Sequence, residues 1–174
     1  MDPTSAQLSV LRGDVADITA VETAIMGQDA VLCALGAATP LRRDSALVEG
    51  VRRIVVTMER SRVRRLVYLS FLGVRDGRRQ LSALGRYLVA PLLLRNVVAD
   101  HEAKEAIIQA SMLEWIIVRP PRLTNGARRG RYRIGTEIRA TSAIPRISRA
   151  DLAEFMLRQL SDDTFLRQAP AVMY

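Results

Sequence analysis

Gly27-Gln28-Asp29-Ala30-Val31-Leu32-Cys33-Ala34-Leu35-Gly36 is the stretch that decides the fold. An apolar run of strand length that stops at glycine reads as a buried parallel strand over residues 30–35, opening at its carboxyl end onto a loop. Upstream, residues 8–12 read as a short strand that stops at Gly13-Asp14. Between the two, Asp17 is placed to cap a helix carrying Ile18, Val21, Ala24 and Ile25 on one face, and Gly27 closes it.

Downstream, residues 36–40 form a loop, and Asp44 or Ser45 opens a helix with Leu47, Val51, Val55 and Met58 at helical spacing. Residues 66–69 are a second buried strand, ending at Ser70. Residues 71–80, with Gly73 and Asp76-Gly77, read as an exposed loop, the usual place for substrate contacts on a rigid scaffold. An apolar helix interrupted by Pro91 is expected over 81–94, another helix over 100–110, and a strand over 114–118 that Pro120-Pro121 bring to an end. A basic, glycine-bearing segment over 123–135 precedes 144–148. Ser148 or Arg149 then leads into a final helix with Leu152, Phe155, Met156 and Leu160 inward. This alternation of strand and helix argues for βαβ units and an α/β, doubly wound parallel sheet in one domain spanning 1–174. In such a sheet the ligand crevice opens at the carboxyl ends of the strands, where strand order reverses.

Composition narrows the function classes. The chain has 174 residues, 49% hydrophobic and 25% charged, which fits one globular domain of ordinary composition. No run is long and apolar enough for a membrane span, and Met1-Asp2-Pro3-Thr4 has no signal-peptide pattern, so a cytoplasmic protein is expected. The single cysteine, Cys33, supports neither a disulfide framework nor a metal site and reads as a small buried hydrophobe. A net charge of +8 invites nucleic acid as a partner. Yet the basic residues are arginines apart from Lys104, they are scattered, and no aromatic residues interleave them to stack bases. The pattern reads as a solvated basic surface.

Taken in order, Gly13-Asp14-Val15, Gly27-Gln28-Asp29-Ala30-Val31 with Leu35-Gly36, Asp100-His101-Glu102, Val118-Arg119-Pro120-Pro121-Arg122-Leu123 with Gly130-Arg131-Tyr132, and Ile147-Ser148-Arg149-Ala150-Asp151-Leu152-Ala153 form a series. It resembles that of the NAD(P)H-binding atypical short-chain dehydrogenase/reductases, near the flavin reductase (biliverdin-IX-beta reductase) branch and the NmrA-like proteins. The resemblance runs from about Leu8 to the last helix. It implies a Rossmann-like sheet, NADP or NAD as cofactor, and hydride transfer to a flavin, quinone or similar planar acceptor. A non-catalytic NmrA-like NAD(P) sensor, or a remnant without cofactor binding, are the alternatives. Members of the family open with a glycine-rich turn of G-x-x-G-x-x-G type, which holds the pyrophosphate on backbone N–H groups, and this sequence contains no such turn. Met1 stands where NADP-preferring relatives carry an arginine. The resemblance therefore implies that the first β-α-β unit is absent, through an internal start or through divergence. It also implies that these 174 residues bind NADPH weakly or not at all and that exposed strand edges invite homodimerisation.

For the site, the resemblance places Asp14 and Val15 along the adenine, while the plainer reading of Asp14 is a turn before the helix. Leu35, Gly36 and Ala37 lie at a strand end where glycine lets a ligand approach the backbone. Ser70 is either a hydroxyl near the nicotinamide or a strand-end serine bonding its own backbone. His101, the one histidine, lies in the first turn of its expected helix between two carboxylates. It is either an acid–base group titrating near neutrality or an exposed bystander. Pro120 and Pro121 would floor the pocket, and Arg122, with Arg128, Arg129, Arg131 and Arg133, would take an anionic ligand group. No Tyr-x-x-x-Lys pair is present, since neither Tyr68 nor Tyr87 has a lysine four residues on.

Overall fold

The computed structural model describes residues 8–36, 43–81 and 95–174. Its frame is a three-stranded parallel sheet in the order β1 (Ala30–Cys33), β2 (Arg65–Leu69), β3 (Glu114–Val118). Helices α1 (Ile18–Ile25), α2 (Ser45–Ser61) and α3 (Arg95–Gln109) contribute to the core on one face, and α4 (Arg149–Arg158) covers the other. This is the two-sided cover that parallel strands require. The pleat divides the core accordingly. Leu66, Tyr68, Trp115 and Ile117 join Val51, Ile54, Val55, Met58 and Ile108 on the first side, while Val67, Ile116 and Val118 meet Ile147, Leu152, Phe155 and Met156 on the second. Each such fully buried aliphatic side chain stabilises the fold by roughly 1.5–3 kcal/mol.

Local chemistry sets the helix ends. The Asp17 carboxylate accepts from Thr19 N (2.9 Å) at the start of α1, the Asp44 carboxylate from Leu47 N (3.1 Å) at the start of α2, and the Ser148 hydroxyl from Asp151 N (3.1 Å) at the start of α4. Gly27 follows α1 at φ +75°, a conformation that favours glycine. At Gly50 an added Cβ would stand 2.7 Å from the Val15 methyls, so the packing of Val15 on α2 requires glycine there.

Smaller strands finish the molecule. Strand β4 (Arg122–Thr124) pairs in parallel with β6 (Arg146–Ser148), and β5 (Arg133–Gly135) pairs antiparallel with β7 (Ala171–Met173). Beyond β3, Arg119 N donates to Pro170 O (2.9 Å), so the C-terminal segment lies along that edge.

Several expectations are corrected. Residues 8–12 form no strand, and Leu8, Val10 and Leu11 are 54%, 79% and 62% exposed, because no strand among the described residues takes up their backbone groups. Strand β1 stops at Cys33 and is an edge strand, half-buried, with Leu32 exposed, since among the described residues it pairs with β2 alone. On α1 only Val21 and Ile25 are buried, and Ile18 faces solvent. Residues 71–80 are not an exposed loop. Leu72 and Val74 are fully buried, Leu72 against Ala171 and Met173 of the C-terminal strand, and Arg75–Gln80 is a 3₁₀ helix. Helix α3 starts about a turn before Asp100. The expected helix over 81–94 falls, but for Leu81, outside the described residues, as does Ala37.

Candidate functional site

The carboxyl ends of β1 and β2, the prolines after β3 and the inner face of α3 close around a cavity of about 190 Å³. Leu35, Gly36, Ser70, His101, Pro120 and Pro121 all line it, so residues up to 86 positions apart in the chain meet in one place. At Gly36 nothing stands within 4 Å of where a Cβ would be, which leaves the backbone open to a flat ring. The two prolines end the β3 ladder, having no N–H to offer, while Pro120 O accepts from Leu72 N (2.9 Å).

Ser70 lies buried directly after β2. Its hydroxyl donates to Glu105 Oε1 (2.6 Å) on α3 and not to its own backbone. Glu105 is wholly buried and accepts from Arg119 on both oxygens, at 3.0 Å from Nε and 2.7 Å from the guanidinium terminus. Arg119 also donates to Asp76 (2.6 Å), which reaches out to solvent. Bidentate geometry and saturated acceptors make this a buried pair that holds its place. It joins α3, the end of β3 and the 3₁₀ helix behind the cavity wall.

His101 lies in the second turn of α3, not the first, with its Nδ1 3.0 Å from the Tyr68 hydroxyl on β2. Its flanking carboxylates are engaged elsewhere. Asp100 accepts from Asp44 N (2.8 Å) and Glu102 from Arg78 (3.2 Å). Burial, helped by the nearby Lys104 charge, therefore pushes His101 down to about 4, so the ring is neutral at physiological pH and the expectation of titration near neutrality is corrected. Burial likewise pushes the Tyr68 phenol up and the Lys104 ammonium down, the latter against the opposing pull of Asp100. Cys33 is buried and its thiol is raised by that burial, in keeping with a small core residue.

The remaining expected site residues fall elsewhere. Asp14 accepts from Ala16 N (2.8 Å) and so builds the turn before α1, while Val15 packs on Gly50. Both line a second, larger cavity of about 400 Å³ bounded by residues of α1 and the segment before it. Arg122 is exposed on β4 and does not line the strand-end cavity. The basic segment is largely engaged with the protein itself. Arg128 donates to Glu154 (2.6 Å), Arg129 lies 4.5 Å over the Tyr174 ring, and Arg133 donates to Arg139 O (3.0 Å). Among the described residues no His, Cys, Asp and Glu cluster could hold a metal ion.

With this geometry in place, the family profile described as NAD(P)H-binding matches residues 2–163. The chain belongs to the NAD(P)H-binding family. Solved structures share its fold. A wide-type short-chain dehydrogenase/reductase from Veillonella parvula, in complex with NADP, is 20% identical with a TM-score of 0.77, over 98% of this chain and 74% of that one. The oxidoreductase ylbE from Lactococcus lactis is 16% identical with a TM-score of 0.77, over 98% and 73%. ChuY, an anaerobilin reductase from Escherichia coli O157:H7, is 20% identical with a TM-score of 0.72, over 92% and 72%. The Rossmann-like reading of the alternating strands and helices is thereby borne out. No helix among the described residues is long and apolar enough to cross a membrane.

Not singled out from the sequence is the set around the strand-end cavity: Tyr68, Lys104, Glu105 and Arg119. Tyr68 stands on β2 and Lys104 on α3, the first in contact with His101 and the second close enough for its charge to act on the ring. The legible signal was a glutamate and an arginine placed where burial was expected, since buried charges in a core are paired.

Proposed function

We propose that the strand-end cavity receives the nicotinamide end of NADPH or NADH and one edge of a flavin, quinone or similar planar acceptor, and that the protein is a reductase. The observation that carries this reading is the convergence of Gly36, Ser70, His101 and Pro120 at the carboxyl ends of three parallel strands. The residues fit that half of the cofactor: Gly36 leaves room for a ring, and a cavity of about 190 Å³ suits a ring and not a whole dinucleotide. The pyrophosphate half has no glycine-rich turn to meet it in these 174 residues. When bound, the cofactor supplies the hydride. The protein's own part is to exclude water with Leu35, Leu69 and the prolines, to seat the rings on Gly36, and to offer polar groups at Ser70 and His101.

The test is NADPH oxidation with FMN or menadione by the wild type and by His101→Ala. The reading expects turnover to fall in the variant within the roughly 10²–10⁴-fold range of acid–base groups, with NADPH affinity little changed. Equal turnover in both would remove His101 from the reaction, and NADPH binding without any turnover would favour the cofactor-sensing alternative. We further propose that the exposed edge of β1, with Leu32 38% exposed, pairs with a second copy in the cytoplasm. Sedimentation of the wild type against Leu32→Lys checks this, and a monomer in both rejects it.

A further inference from the structure

Tyr68 is 0% exposed, and its hydroxyl has His101 Nδ1 as a hydrogen-bond partner at 3.0 Å. A phenol this deep keeps its proton, and that proton needs an acceptor. The two rings are tilted at 55° with centroids 6.1 Å apart, which is an edge contact through the hydroxyl and not a stack. A neutral imidazole that accepts at Nδ1 carries its proton at Nε2. The charged and titratable groups around the pair are Lys104 on the helix of His101, Cys33 of β1, and Glu105 and Asp100 of α3, whose carboxylates act on Tyr68 while accepting from Arg119 and from Asp44 N; the partner given to His101 Nδ1 is the Tyr68 hydroxyl. The second polar group on the same cavity wall is Ser70, whose proton goes to Glu105, leaving Oγ with lone pairs only.

We propose that Tyr68 is a positioning residue that locks His101 as the Nε2–H tautomer. The cavity thereby presents a donor at His101 and an acceptor at Ser70, and selects an acceptor substrate carrying a carbonyl and an N–H on one edge, as in an imide or lactam. This rests on the reductase reading for the substrate's role but not for its chemistry. A quinone, with carbonyls alone, satisfies one of the two groups and leaves Ser70 Oγ unmet. The imide edge of an isoalloxazine satisfies both.

The single histidine makes the first test unambiguous, because every ¹⁵N-imidazole signal belongs to His101. In the wild type at neutral pH, without any ligand, the Nε2–H tautomer should dominate, and in Tyr68→Phe the two tautomers should mix. A dominant Nδ1–H form in the wild type, or an unchanged Nε2–H fraction in Tyr68→Phe, overturns the lock, and if the variant does not fold, a wild-type Nε2–H fraction no higher than that of a free histidine overturns it. The second test is binding of lumiflavin against 3-methyllumiflavin, with menadione as the carbonyl-only probe. Lumiflavin should bind about tenfold more tightly than the methylated form, and Ser70→Ala should erase that preference. Equal affinity for both flavins in the wild type, or binding by neither, overturns the substrate class. Failure of the reductase reading shows separately, as absent NADPH oxidation with every acceptor while the tautomer and the flavin preference stand.

Discussion

The two cavities of this molecule differ in a way that volume alone would misjudge. The one beside α1 is about 400 Å³ and the one at the strand ends is about 190 Å³, yet the smaller is the one that gathers Ser70 and His101 from separate elements. The larger is bounded by a single helix and the segment before it, with Val10 and Leu11 exposed nearby and Asp14 engaged in a local turn. The smaller is bounded by the ends of separate strands and by α3, and is backed by a buried carboxylate whose donors come from two other elements. A site held from several directions can fix a reacting geometry, and one held by its own local turn cannot do so as firmly.

The largest test of that contrast is removal of the backing. Arg119→Met leaves Glu105 buried without its bidentate partner and should destabilise the protein by about 3–5 kcal/mol, measured by urea unfolding. A loss below 1 kcal/mol would mean that the pair is not what holds the cavity wall. The corresponding change beside the larger cavity is Gly50→Ala, which drives a methyl into Val15 and should cost about 1–3 kcal/mol. If Gly50→Ala proves the more damaging of the two, the comparison reverses.

Acid should separate the regions as well. His101 is held at about 4 in the fold against an ordinary 6.5, so between those values the unfolded chain binds a proton that the native protein does not. Stability attributable to neutral His101 is thus complete above about pH 6.5 and is lost as the pH falls toward 4, on the order of 1–3 kcal/mol. Tyr68→Phe should change that slope, whereas substitutions beside the larger cavity should not. A second acid step lies lower. Burial alone would raise Asp151, but hydrogen bonds from Tyr174, Gly130 N, Ser148 and Arg129 N outweigh it and hold the carboxyl at about 2, so its contribution fades only as the pH falls from about 3.8 toward 2. The smallest effect is expected for Asp14→Ala, which loses one exposed turn hydrogen bond and should cost under about 1 kcal/mol. A fall in NADPH affinity beyond that would place the adenine along Asp14 and Val15.

The same contrast shows what the sequence could tell. The parallel sheet was legible because apolar runs ended at Gly36, Ser70 and Pro120, and the last helix because Ser148 stands at its cap with Leu152, Phe155 and Met156 following at helical spacing. Gly36, Ser70, His101 and Pro120 line one cavity, since strand ends in such a sheet converge by topology. The partnership of Tyr68 with His101 was not legible, being a contact across 33 residues between a strand and a helix with no fixed spacing to read. Nor was the burial of Leu72 and Val74, for Leu72 depends on Ala171 and Met173 arriving from the far end of the chain. Residues 8–12 failed as a strand because alternation states a preference, and a strand needs a neighbour to satisfy it.

Chemical-shift mapping with reduced nicotinamide mononucleotide tests the central claim most directly, because this fragment carries the nicotinamide ring without the adenine half of the cofactor. The account predicts shifts at Gly36, Ser70 and His101, with the residues of α1 unmoved. Shifts confined to the segment around Asp14, Val15 and α1, with His101 unchanged, would contradict it.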